Sequence, residues 1–394
     1  MTTITRENLL SLLQHAILAV DSKPTMPILT NVLIEIDDKM TITGSNLDIQ
    51  ARASCPINHT DSIRAAVSGK LLTKIIKSLP KKSSVALAIN GNTLKLSTDN
   101  GEFLLPVADH DQLPIISPPT RYEYAADPAK LYNLLDKSIH AQAKTDCRSY
   151  LNGYRISIDD GILTGIATDG HRLAIGRIPV IGDSVAATLV HEGATALLKM
   201  LKNRTDNPVE MDFGSEHIHI RHGSYTLTVK LIDGKYPDCD RVIPKTRTHA
   251  ITVDKNDLLV AITKVTLLNT EKLKAVLFSF SNNNMTITGY HDEIEETANI
   301  PVIYSKDPFE VKFNAGYWTD FLKVVEDETN TLNTSCSSMD ILATIHWEAS
   351  LGLQKAGPRS SIRLRRMFSD ISTISLDVTG IFVVYRPAES RTKL

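Results

Sequence analysis

The sequence predicts an α+β protein built from three tandem copies of one unit, each with two helices packed on antiparallel sheet. Three markers predict it. Thr41-Ile42-Thr43-Gly44 recurs as Thr286-Ile287-Thr288-Gly289, with Leu163-Thr164-Gly165 between, so the glycines lie 121 and 124 residues apart. A glycine that opens a helical pattern recurs at Gly69, Gly193 and Gly316, and a helix leucine recurs at Leu9, Leu131 and Leu258. A period near 123 is too long for a solenoid repeat of about 20 to 50 residues, so each copy is a whole domain.

Each copy has one internal order. A short strand comes first: Thr2 to Thr5, Tyr122 to Ala125 and Ala250 to Val253. A helix with an apolar stripe follows, carried by Leu9, Leu10, Leu12 and Leu13, then Leu131, Leu134 and Leu135, then Leu258, Leu259 and Ile262. Next is an alternating strand, Val32 to Ile36, Tyr154 to Ile158 and Val276 to Phe280, closed by a polar turn of the kind that joins hairpins. A second helix and further hairpins complete the copy. The domains are expected at 1–121, 122–247 and 248–394, with Pro118-Pro119 and Pro244-Lys245-Thr246-Arg247 punctuating the junctions.

Composition narrows the function. The 394 residues are 42% hydrophobic and 22% charged, which fits a globular protein and excludes disorder or collagen. Net charge is −2, so a nucleic-acid partner has to be held by a local basic surface. The start, Met1 to Leu13, has no basic lead into an apolar stretch, and no run nears the roughly 18 apolar residues of a spanning helix. A cytoplasmic protein without membrane partners is expected. Cys55, Cys147, Cys239 and Cys336 stand singly, so no metal site, cofactor or disulfide framework is expected.

Four strings in order resemble one family: Lys23-Pro-Thr-Met-Pro-Ile-Leu29, Tyr150-Leu-Asn-Gly153, Ala167-Thr-Asp-Gly-His-Arg-Leu-Ala174, and Lys230-Leu-Ile-Asp-Gly-Lys-Tyr-Pro-Asp238 with Arg241-Val-Ile-Pro244. The chain is similar, over about residues 1–330, to the bacterial DNA polymerase III β subunit, the sliding clamp. The resemblance implies DNA-clamp domains and a head-to-tail homodimer whose six domains form a ring around duplex DNA. It also implies a non-catalytic accessory subunit, polymerase and exonuclease activity being those of the holoenzyme. Size agrees: domains about 35 Å across leave an opening of about 5 Å when three form a ring and about 35 Å when six do.

Charge patterning locates a DNA-facing surface. Lys70, Lys74, Lys77 and Lys81 fall on one helix face, opposite Leu71, Leu72, Ile75, Ile76 and Leu79. Repeat two offers Lys199, Lys202 and Arg204, with Lys137, His140 and Lys144 on its other helix; repeat three offers Lys264, Lys272, Lys274 and Lys323. Lysines reach phosphates as point charges and read no bases, so the grip is sequence-independent and salt-sensitive. An ordinary solvated face is the alternative reading of any one such stripe. The resemblance adds Lys23, Arg148 and Tyr150 as DNA-proximal; taken alone, Tyr150 reads equally as a half-buried strand aromatic. Ser149, where the family often has tyrosine, and His191-Glu192, where a basic pair is common, weaken the DNA contact of repeat two.

Thr168-Asp169-Gly170-His171-Arg172 admits three readings: a catalytic pair of Asp169 and His171, a structural turn, or a binding loop. No nucleophile motif accompanies the pair. The resemblance implies the third, a hydrophobic cleft for short peptide motifs comprising Leu151, Thr168, Gly170, His171, Arg172, Leu173, Pro237, Arg241, Val242, Val383 and Val384. An apolar floor with a polar rim takes an extended peptide through two hydrophobic anchors. The occupants implied are the DNA polymerase III catalytic subunit, the clamp-loader ATPase and other repair and replication proteins. Loading needs that ATPase, since this chain has no G-x-x-x-x-G-K-[ST] loop.

The resemblance further places Phe103 and Leu105 against Leu267 and Leu268 of a second copy at the dimer interface, although such residues are usually core. The last repeat is longer, and the match fades after about Leu332. Segment 333–380 is expected to be atypical, with Pro358, Arg359, Arg363, Arg365 and Arg366 on an altered surface stretch, and the closing strand Phe382 to Pro387 runs on for seven residues. Tyr385 replaces a methionine common in the family cleft, stiffening that wall. A scaffold that never encircles DNA and a hydrolase using Asp169 and His171 are the competing readings.

Overall fold

A computed structural model of the chain describes residues 2–21, 26–57, 62–99, 101–202, 205–243, 249–269, 274–291, 294–324, 329–337, 340–349 and 378–385. In repeat one the order is β1 (Thr2–Thr5), α1 (Arg6–Ala16), β2 (Asn31–Ile36), β3 (Lys39–Ser45), β4 (Ile49–Pro56), β5 (Ile63–Ser68), α2 (Gly69–Ser78), β6 (Ser84–Asn90), β7 (Thr93–Thr98) and β8 (Gly101–Pro106). Repeat two follows with β9 (Tyr124–Ala126), α3 (Pro128–Ser138), β10 (Gly153–Asp159), β11 (Ile162–Thr168), β12 (Arg172–Ile181), β13 (Val185–Val190), α4 (His191–Leu201), β14 (Val209–Phe213), β15 (His217–His222) and β16 (Tyr225–Lys230). Repeat three has β17 (His249–Asp254), α5 (Lys255–Val265), β18 (Ala275–Ser281), β19 (Asn284–His291), β20 (Ile294–Ile303), β21 (Phe309–Asn314), α6 (Ala315–Val324), β22 (Thr329–Ser337), β23 (Asp340–Ala349) and β24 (Val378–Tyr385). The order of elements is the same three times.

The chain forms two compact units. One comprises Met1–Tyr132, Asn152–Gly161 and Val180–Gly234; the other comprises Asn133–Leu151, Ile162–Pro179 and Lys235–Leu394. In the first, β5, β2, β3 and β4 pair antiparallel in that order, and β4 continues into β16, with Ala51 opposite Leu227. Strands β16, β15, β14 and β9 carry the sheet on, also antiparallel. Helices α1 and α2 bury Leu9, Leu13, Leu72 and Ile76 against Ile34, Ile42 and Val67. Each such side chain contributes about 1.5 to 3 kcal/mol on leaving water. The α1 and α2 N-termini are capped by the Thr5 and Ser68 hydroxyls, which accept from the Asn8 and Leu71 amides.

In the second unit β18, β19, β20 and β21 form the corresponding sheet around an aromatic core: Phe278 packs edge-on to Trp318 at 5.3 Å between ring centres and to Phe313 at 5.8 Å. Strand β12 pairs with β24, which pairs with β23. Asp254 caps α5 by accepting from the Asn256 and Asp257 amides.

The repeated glycine has a packing cause. A Cβ on Gly44 would overlap the Ala16 carbonyl oxygen, and one on Gly289 would overlap that of Val265, so the third strand can pass beneath the first helix only as glycine. Several expectations are corrected. Leu71 is 44% exposed, because the buried stripe of α2 runs through Leu72, Thr73 and Ile76. Strand β9 starts two residues later than expected. Tyr150 sits on a 3-10 turn, Ser149–Leu151, and not on a strand. Leu105 is 3% exposed within the repeat-one core, so it offers little surface to a second copy; Phe103 and Leu104 are the large apolar side chains that β8 exposes. Of the expected atypical segment 333–380, residues 338–339 and 350–377 lie outside the described residues, as does the extension beyond Pro387.

Candidate cleft and basic helix faces

The hairpin of β11 and β12 differs from its counterparts. Gly165 pairs with Gly176, eleven residues on, whereas Gly44 pairs with Ala51 and Gly289 with Glu296, seven residues on. Repeat two alone therefore projects the Thr168–Arg172 turn beyond its sheet. The turn is closed from within. The Asp169 Oδ1 accepts from the His171 and Arg172 amides, both at 2.9 Å, and the Thr168 hydroxyl donates to the Arg172 carbonyl at 2.6 Å. Gly170 adopts φ +83°, a left-handed conformation that side chains disfavour. With its carboxylate committed to backbone amides and to the Arg172 Nε at 3.1 Å, Asp169 does not orient the His171 ring. The catalytic pair lacks its geometry.

Beside this turn, within the second unit, lies an open cleft of about 310 Å³. Its described lining is Arg148, Tyr150, Leu151, Thr168, Gly170, Leu173, Pro237, Asp238 and Cys239. The floor is apolar: Leu151 and Leu173 are 2% and 1% exposed. Burial pushes the Cys239 thiol up to about 11, so it packs as a neutral apolar group. At the rim the Arg148 guanidinium pairs with both Asp146 oxygens at 2.9 and 3.0 Å, and that pairing holds the Asp146 carboxyl well below its ordinary value. This size and polarity suit a short segment with apolar side chains and backbone groups to satisfy.

The structure thus brings together Leu151, Thr168, Gly170, Leu173 and Pro237 of the residues expected in the cleft. It adds Arg148 and Tyr150, expected on DNA, and two residues not singled out for the cleft: Asp238, which ends the Lys230 to Asp238 string, and Cys239, which follows it. His171 and Arg172 do not line the cleft; both turn to α6. Arg241 is exposed and pairs with Asp238 at 2.8 Å. The backbones of Val383 and Val384 lie opposite Leu173 and Arg172 across β12 and β24, while their side chains and that of Val242 lie outside the described residues.

Among the basic positions, Lys70, Lys74, Lys77 and Lys81 are all exposed on or just past α2, as are Lys199 and Lys202 at the end of α4, Lys144, Lys264 and Lys323. Lys274 is half-buried and donates to the Thr266 carbonyl at 3.3 Å. Two expectations fail in repeat two. Lys137 is 3% exposed, and burial pushes the His140 imidazole down to about 4, so it is neutral at pH 7. Neither serves as a phosphate-facing charge. Lys23, Arg204 and Lys272 lie outside the described residues. Leu267 and Leu268, past the end of α5, are 73% and 48% exposed. Among the described residues no group of His, Cys, Asp and Glu is placed to hold a metal, and no helix is long and apolar enough to cross a membrane.

Comparison with known proteins gives the following. Residues 1–117, 126–238 and 240–344 match the N-terminal, central and C-terminal domains of the DNA polymerase III beta subunit family. The chain is 31% identical over 351 residues to the beta sliding clamp of Escherichia coli strain K12, covering 86% of this chain and 94% of that protein. Against the beta sliding clamp of Pseudomonas aeruginosa it is 29% identical over 334 residues, 83% of this chain and 90% of that one. A crystal structure of the DNA polymerase III subunit beta from Pseudomonas aeruginosa superposes with a TM-score of 0.82 at 25% identity, covering 98% of this chain and all of that one.

Proposed function

The chain belongs to the DNA polymerase III beta subunit family, and from that premise we propose that it is a non-catalytic processivity factor, a homodimeric ring that encircles duplex DNA and tethers a polymerase to it. The observation that carries the dimer is a mismatch of strand edges. Inside the chain two junctions use one device: β4 pairs with β16, and β12, the counterpart of β4, pairs with β24, the counterpart of β16. By the same correspondence β20 and β8 should pair with each other. Among the described residues β8 pairs only with β7, and residues 294–301 of β20 only with β19. Burial agrees, since β12 is largely buried whereas β20 and β8 are largely exposed.

An unpaired edge is a template for another chain, and two complementary edges at opposite ends of a three-domain series direct a head-to-tail pair. Phe103, Leu104, Leu267 and Leu268 supply exposed apolar surface near those edges. Six domains of this size leave an opening of about 35 Å, wide enough for a duplex. Lysines on α2 and α4 then meet phosphates as unspecific point charges, and retention comes from enclosure. The cleft on the second unit takes extended peptides of the polymerase catalytic subunit, the loading ATPase and other DNA-handling proteins, one at a time and with modest affinity.

Sedimentation equilibrium tests the dimer. The protein should run at twice its 43.5 kDa chain mass, and Leu267→Lys with Leu268→Lys should halve it. A wild-type monomer at micromolar concentration would remove the ring and leave the scaffold reading.

A further inference from the structure

The cleft leaves Arg172 without a direct contact, yet its guanidinium is among the best-held groups of the unit. Its side chain is 11% exposed, and it faces two carboxylates: Nε donates to Asp169 at 3.1 Å and Nη1 donates to Asp320 at 2.8 Å. The Tyr317 ring lies under the same guanidinium, 4.7 Å from its centre, and also stacks with the His171 ring at 6.4 Å and 19°. Asp320 and Tyr317 sit one turn apart on α6. That helix is fixed in the third repeat by Trp318, Phe321 and Leu322, each at most 1% exposed.

The hydrogen bonds within the Thr168–Arg172 turn fix its shape but not its direction, because every one of them joins the turn to itself. Direction is set by the β12–β24 ladder, in which Arg172 and Leu173 lie opposite Val384 and Val383, and by the side-chain contacts of Arg172 and His171 with α6. Gly170 and Leu173, which line the cleft, are the immediate neighbours of those two anchored residues. A rotation of the turn about its own hairpin would therefore move the cleft wall, and the ion pair with Asp320 opposes that rotation.

We infer that Asp320, which lies outside the cleft, is a positioning residue for peptide capture, acting through Arg172 to hold the turn against α6. The inference rests on the peptide-cleft reading given above. It also explains the extended hairpin of repeat two, whose added residues include both anchors. Removing Asp320 leaves Arg172 its bond to Asp169, and the Asp320 side chain is itself 47% exposed, so the change strands no buried charge. The turn should loosen while the fold persists.

The test uses the intact protein and a short fluorescein-labelled peptide with leucine and phenylalanine at alternate positions, so that both side chains fall on one face of an extended strand. Anisotropy titrations compare wild type, Asp320→Asn, Asp320→Glu and Pro237→Glu, each with its thermal unfolding midpoint. Asp320→Asn should weaken binding about fivefold at an unchanged midpoint, the size expected of one charged bond at a partly solvated site, and Asp320→Glu should restore it. Pro237→Glu, at the cleft itself, should abolish it. Equal binding by Asp320→Asn and wild type overturns the positioning role and spares the cleft; so does an equal loss in Asn and Glu variants with lowered midpoints. If wild type fails to bind the peptide, or Pro237→Glu binds it normally, the cleft reading falls and this inference with it.

Discussion

His15 and Thr226 are 211 residues apart in sequence, yet the His15 Nε2 lies 3.0 Å from the Thr226 carbonyl oxygen. A carbonyl only accepts, so Nε2 carries the hydrogen. The ring is 5% exposed, beside Tyr225 at 5.0 Å between ring centres, and Tyr225 in turn shares a hydrogen bond with the Ser11 hydroxyl at 2.7 Å. This small polar group joins α1 of repeat one to β16 of repeat two within the first unit.

Acid should open that contact. Burial pushes His15 down to about 4 from an ordinary 6.5, the Thr226 bond opposing only in part. As pH falls through 6.5 the unfolded chain takes up a proton that the folded chain refuses until about pH 4, so stability present above 6.5 is lost across that window. The loss attributable to His15 is on the order of 3 kcal/mol. Thermal unfolding midpoints at pH 7 and pH 5 should differ less in His15→Gln than in wild type. Some dependence should remain, because His140 is also pushed down to about 4.

Gly44→Ala should destabilise the first unit by about 1 to 3 kcal/mol, because the added methyl meets the Ala16 backbone and not a movable side chain. Gly91, where a Cβ meets nothing within 4 Å, is the contrast in space but carries φ +57°, so Gly91→Asn is the milder control. Denaturant midpoints should fall clearly for Gly44→Ala and little for Gly91→Asn; equal midpoints for Gly44→Ala and wild type would remove the packing account of the repeat marker.

These glycines also mark what the sequence makes legible. A residue that packing holds as glycine in repeats one and three leaves a trace at a fixed period, and so do helix faces whose lysines and leucines alternate at helical spacing. What one repeat does differently leaves no such trace. The four-residue extension of the β11 and β12 hairpin sits inside a continuous string, and its consequence, turning His171 and Arg172 towards Tyr317 and Asp320, depends on a helix some 148 residues away. Lys137 fails for a related reason: helical spacing puts it with the polar residues of α3, while tertiary packing buries it. The pairing of β4 with β16 is likewise invisible in either strand alone.

Replacing Lys70, Lys74 and Lys77 together by alanine should weaken binding to duplex DNA equally for unrelated sequences. Plotted as log affinity against log salt, the slope should become shallower by roughly one for each phosphate that the variant no longer neutralises. All three side chains are exposed, so the unfolding midpoint should hold. A salt slope identical to wild type would place the DNA path elsewhere.

Enclosure is the central claim, and one measurement addresses it directly. The protein, loaded onto nicked circular DNA by an added clamp-loading ATPase, is separated from free protein, and the circle is then cut once. Protein held by a ring should stay with the circle at high salt and leave within the time needed to slide off the new ends. Protein that remains bound to the linear product, or that salt strips from the intact circle, would contradict the account.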